Sequence, residues 1–180
     1  MKEFKPAIWS SKVRRWTVGM LIVLSLLTAA GVYTMAVPGG ARIVGILCVA
    51  VVVLTFSLIV TLAWATAPAS YIVSGNGITV HFHRWKDIEI AWDSIADVAQ
   101  AGFQDVFDQA SVSHNMAYMF SAAGTYWSPK LNDFNCFCTN QNDLVVIKRK
   151  TGNPVVISPA DSHGFIEAVR NSVENEGQHE

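Results

Sequence analysis

The sequence predicts an N-terminal transmembrane helical hairpin followed by one β-rich domain that closes with a single α-helix. Three observations carry that expectation. Residues 17–36 and 41–63 are apolar stretches separated only by Val37, Pro38, Gly39 and Gly40, with Arg42 as their one charge. Short runs with strand periodicity follow Pro68, and Phe165, Ile166, Val169 and Val173 mark one face of a terminal helix.

At ~1.5 Å rise per residue the two stretches give helices of roughly 30 and 35 Å, enough to cross a hydrocarbon core of about 30 Å. Both are apolar on every face, whereas a helix on the surface of a soluble core keeps a polar stripe. A cleaved signal peptide is the other alternative, with a small-residue site near Thr34 to Ala36. The long basic leader and the adjacent second span argue against it. Gly19, Gly31 and Gly45 suit close helix packing within the hairpin or between copies, so a homo-oligomer is a partner class to consider. The spans offer only hydroxyls such as Ser25, Thr28, Thr55, Ser57 and Thr61, and no carboxylate or His that would mark an ion path.

Lys2, Lys5, Lys12, Arg14 and Arg15 make residues 1–16 a basic leader, which places the N-terminus on the cytoplasmic face of an inner membrane. An even number of spans returns residues 69–174 to the same side, with 175–180 as a polar tail. Arg14, Arg15, Trp16 and Trp64 are the expected membrane-interface residues, because an indole keeps its ring among acyl chains and its N–H among head groups. From Ala69 onward seven Lys or Arg face thirteen Asp or Glu, a balance of −6. Such a domain has no general attraction to nucleic acid. With Cys48 in a span and Cys136 and Cys138 in a reducing compartment, no disulfide framework is expected.

The first strands are Tyr71–Ser74 and Ile78–His83, flanking Gly75, Asn76 and Gly77; the Asn-Gly pair suits the positive φ of a tight hairpin turn. Ile88, Ile90 and Trp92 alternate with Glu89, Ala91 and Asp93 as a third strand. Residues 101–135 are rich in apolar and aromatic side chains without a sustained period, although Phe103, Val106, Phe107 and Ala110 fall at helical spacing; core strand and loop, or an exposed contact surface, both accommodate them. Strands resume at Phe134–Thr139. Leu144–Lys148 and Val155–Ser158 form a hairpin across Gly152, Asn153 and Pro154. Ser158, Pro159 and Asp161 then read as cap, first-turn proline and first-turn carboxylate of the closing helix.

That order of elements, with W-x-x-I at Trp92 to Ile95, VVISP at Val155 to Pro159 and the Phe165-Ile166 pair, resembles the bacterial PH-like membrane proteins. The resemblance implies a pleckstrin-homology-type domain, a bent antiparallel sheet or partial barrel with one C-terminal capping helix, behind a two-span anchor. It implies fold more than function, since the family includes an immunity protein against a secreted peptide and many members without an assigned role. No basic cluster follows the first hairpin turn, which departs from the phosphoinositide-binding pattern. The exposed sheet edges of such a fold suit protein docking, so a non-enzymatic adaptor or regulatory module at the membrane is the leading expectation. Immunity against an antimicrobial peptide, and an enzyme whose site assembles only in three dimensions, are the alternatives.

Candidate sites are sparse. His81 and His83 share one strand face, and Cys136 and Cys138 would share another, so these four form a weak tetrahedral metal candidate. Lys148, Arg149 and Lys150 are the one basic run of the domain and a candidate lipid or partner contact. There is no G-x-S-x-G elbow, phosphate loop or H-E-x-x-H, so no catalytic residue and no cofactor is assigned. The expected partners are the lipid bilayer and another membrane or cytoplasmic protein.

Overall fold

The computed structural model describes residues 1–9, 11–36, 42–117 and 121–176. The connection 37–40, residues 118–120 and the end of the tail lie outside them. Helices α1 (Ser11–Ala36) and α2 (Arg42–Ala65) are each long and apolar enough to cross a membrane, at about 39 and 36 Å. Only 11% and 6% of their most apolar windows are buried, so neither is the core helix of a soluble fold. They pack on each other where Gly31 meets Val49: a Cβ on Gly31 would collide with Val49 Cγ2. Hydroxyls along both helices bond back into their own turns, Ser25 to Leu21 O at 2.9 Å and Thr61 to Ser57 O at 2.7 Å, which satisfies them without a partner helix.

The rest is a β-rich unit with a C-terminal helix. Strands β1 (Lys2–Phe4), β2 (Pro68–Ser74), β3 (Gly77–Phe82) and β4 (Ile88–Ala91) form one antiparallel sheet in that order. A 3₁₀ turn at Trp92–Ser94 leads to β5 (Ile95–Ala101), α3 (Phe103–Phe107), β6 (Ser111–Ala117), β7 (Ala122–Ser128), β8 (Asn132–Cys138), β9 (Leu144–Arg149) and β10 (Val155–Ile157). The second sheet runs β5-β9-β10-β8-β7-β6. Its β10 is parallel to β8, a departure from the all-antiparallel expectation: the β9–β10 hairpin folds back so that β10 lies beside β8 and β9 lies outside it.

Two cores result. Tyr71, Ile78, Val80 and Phe82 of the first sheet, Val145, Ile147, Val155 and Ile157 of the second, and Phe165 and Val169 of α4 (Ser162–Glu176) make one. The opposite face of the second sheet, with Leu144, Val146, Val156, Cys136, Phe134 and Tyr126, packs under Val106 of α3 as the other. Residues 144–147 are buried on both faces, which is why they read as a continuous apolar run. Of the aperiodic 101–135 region, Ala101, Val106, Phe107, Ala122, Tyr126, Leu131 and Phe134 belong to this second core, whereas Phe103, Val112 and Trp127 stay exposed.

Three expectations need correction. Residues 1–16 are not all leader: Lys2, Glu3 and Phe4 pair with Val73, Ile72 and Tyr71, and Phe4 is only 6% exposed, edge-on to Phe165 at 5.2 Å. In the β2–β3 turn, the positive φ lies at Gly77 (146°) rather than at Asn76. A Cβ there would strike the Ile90 carbonyl, so glycine serves the close approach of β4. The α4 cap is Asp161, whose carboxylate accepts the Gly164 N–H at 2.9 Å, and Ser158 is buried elsewhere.

Candidate functional site

Of the residues expected at a membrane interface, Arg14 and Trp64 line one groove where the hairpin enters the domain. Chain continuity from α2 to β2 leaves no slack: the Arg84 N–H donates to Ala65 O at 3.2 Å and the His83 N–H to Ala67 O at 3.4 Å. Trp64, on the last turn of α2, stacks on the His83 ring with centroids 4.9 Å apart and planes 11° apart. The other helix is fastened through its leader. The Ala7 N–H donates to Ser158 O at 2.8 Å, the Ala160 N–H to Lys5 O at 2.9 Å, and Thr139 Oγ1 to Ala7 O at 2.6 Å.

Ser158 organises this clasp. Its Oγ accepts the amides of Thr139 at 2.9 Å and Asn140 at 3.2 Å. Its own N–H reaches the Tyr71 hydroxyl at 3.4 Å, while that hydroxyl donates to Phe137 O at 2.7 Å. Burial pushes the Tyr71 phenol well above its ordinary value, which keeps it a neutral donor. The two ends of the hairpin thus meet on one side of the helices, in one folded unit. A groove of about 790 Å³ lies between them, with Lys5, Trp9, Arg14, Trp64, His83 and Thr139 among its walls. Arg14 also lines a second groove along α1 with Arg15, and Trp16 is exposed one residue on.

The metal candidate is not assembled. His81 and His83 are exposed at the end of β3, whereas Cys136 and Cys138 are buried in the second core behind the other sheet. His81 Nδ1 is 2.8 Å from the Asp87 carboxylate, which also accepts the Phe82 N–H at 3.2 Å. The hydrogen bond from His81 holds the Asp87 carboxyl below its ordinary range. Burial raises Cys136, so it stays a thiol, and Cys138 Sγ donates to Val156 O at 3.3 Å. Among the described residues no three His, Cys, Asp or Glu side chains are grouped to hold a metal ion.

Lys148, Arg149 and Lys150 sit far from the helix ends. The Lys150 N–H donates to Ser94 O at 2.8 Å, and Trp92, beside Ser94, donates its indole N–H to Gly75 O at 2.9 Å. Gly75 is the β2–β3 tip, roughly 20 Å along β2 from Pro68. The run therefore points away from the junction, and Lys148 pairs with Asp97 at 3.6 Å. A bilayer contact for these three cations is at odds with that placement.

Sequence reasoning missed the clasp, because Lys5, Ala7, Thr139 and Ser158 contribute mainly backbone groups and small hydroxyls that carry no motif. The basic spacing marked Arg14, but not its place beside His83 and Thr139. No protein-family model, curated protein or solved structure matches the chain, so what can be said of its role rests on this geometry.

Proposed function

We propose that the chain is a non-enzymatic module of the PH-like type, anchored in a bacterial inner membrane with both termini cytoplasmic, whose domain binds another protein at the membrane surface. The observation that carries this is the double fastening of the hairpin: β1 on one side and the Ala65–Ala67 backbone on the other hold the domain in a fixed pose against the helices. A docking platform gains from such a pose, since a preset orientation lowers the entropy cost of association. The edge of β4, which among the described residues pairs with β3 alone, supplies backbone donors and acceptors for an added strand.

Affinity capture of the tagged chain from native membranes tests the proposal, with a variant lacking residues 69–180 as comparison. A reproducible partner that disappears with the domain supports it; the same partners on both forms contradict it. Immunity against a secreted peptide is favoured by a different observation, an apolar groove of about 430 Å³ between α1 and α2. Protection conferred by the hairpin alone would support that role instead.

A further inference from the structure

We infer that the junction carries a binding site for one anionic phospholipid, with its phosphate on Arg14 and Arg15 and an acyl chain along α1. The inference rests on α1 lying in a bilayer. A groove of about 700 Å³ runs from Trp9, Arg14 and Arg15 down to Val18, Gly19 and Ile22. Its mouth is cationic and its floor apolar, the polarity sequence of a phospholipid read from head group to tail. Two guanidiniums in adjacent positions offer forked donors suited to phosphate oxygens. Neither arginine takes part in an ion pair among the described residues.

The floor is open because of a glycine. Gly31 and Gly19 lie on the same helix, yet only Gly31 is in a tight helix contact; a Cβ on Gly19 would meet nothing within 4 Å. Packing between α1 and α2 therefore does not require glycine at 19. The space it leaves adjoins both the arginine-lined groove and the groove between the helices. A free phosphate would use the arginines alone, whereas a lipid needs both the arginines and the space above Gly19.

The full chain in nanodiscs of equimolar phosphatidylglycerol and phosphatidylcholine, analysed by native mass spectrometry for retained lipid, tests this. Phosphatidylglycerol should be retained preferentially. At about fivefold per cation, the Arg14→Gln/Arg15→Gln variant should lose roughly 25-fold of that preference. Gly19→Leu, which fills open space and improves helix propensity, should also lose the retained lipid although every charge is kept. Lys148→Gln/Lys150→Gln should change nothing. A preference that survives Gly19→Leu would reduce the effect to diffuse surface attraction and overturn the site, as would equal retention of both lipids by the wild-type chain. A chain that does not enter nanodiscs at all would instead overturn the membrane anchoring on which the site depends.

Discussion

Replacing Phe4 with alanine removes the one large side chain that β1 contributes to the first core. The ring is 94% buried and meets Phe165 edge-on at 5.2 Å. Core Phe→Ala changes cost about 3–5 kcal/mol when the surroundings cannot collapse. Collapse is restricted here, because Lys5 and Ala7 are held by backbone bonds to Ala160 and Ser158 just beyond the strand. We expect at least about 3 kcal/mol, which for a domain of this size moves a urea midpoint down by about 1–3 M. In a Cys48→Ala background the buried, free Cys136 and Cys138 provide the assay, since a thiol reagent reaches them only as the domain opens. Pulse labelling of the full chain in nanodiscs across a urea series gives both midpoints. A shift below about 0.3 M would mean that residues 2–4 are a solvated leader, as their composition alone suggests, and that β1 does not form.

Other substitutions test the local arguments. Gly77→Ala should destabilise by about 1–3 kcal/mol, because it combines an unfavourable φ with a collision at the Ile90 carbonyl, and thermal unfolding measures it. Asp161→Ala should cost about 1 kcal/mol as loss of an α4 cap. Ser158→Ala should cost about 1–3 kcal/mol, because it strands the buried Thr139 amide; no loss of stability on Asp161→Ala would undo the cap assignment. Asp87 has a depressed folded-state pKa, so its contribution is present at neutral pH and lost as pH falls below the ordinary value of 3.8. Asp87→Asn should remove that part of the acid sensitivity in a pH series. Purified protein should hold no stoichiometric zinc by elemental analysis, given that the two histidines are exposed at the end of β3 and the two cysteines are buried in the second core.

Much of the fold was legible where one physical signal dominates. The helices show it through unbroken apolar faces, and Leu144–Ser158 through two β-branched runs around Gly152, whose φ is 86°. Ile78, Val80 and Phe82 alternate inward as their spacing predicts. Legibility failed where the partner is distant in sequence. Lys2-Glu3-Phe4 has one apolar residue and no period; it becomes a strand only because Tyr71–Val73 offers an edge some 70 residues away. Ser158 carries every local mark of a cap, but the amides of Thr139 and Asn140 compete for its oxygen, and Asp161 takes the cap instead. At the junction, Arg14 and Trp64 stood out in the sequence because charge and aromaticity beside an apolar span are local facts. Their meeting with Lys5, His83 and Thr139 was not, since it follows from the two ends of the hairpin returning to one domain.

The central claim is that both helices cross the bilayer and that β1 and the domain share its cytoplasmic side. Single cysteines at Lys2, Gly40 and Asn153, in a chain otherwise free of cysteine, can be challenged with a membrane-impermeant maleimide in intact cells and after permeabilisation. The account predicts that Gly40→Cys reacts in intact cells, whereas Lys2→Cys and Asn153→Cys react only once the membrane is opened. Reaction of Lys2→Cys and Asn153→Cys from opposite sides, or of all three only after permeabilisation, would contradict it.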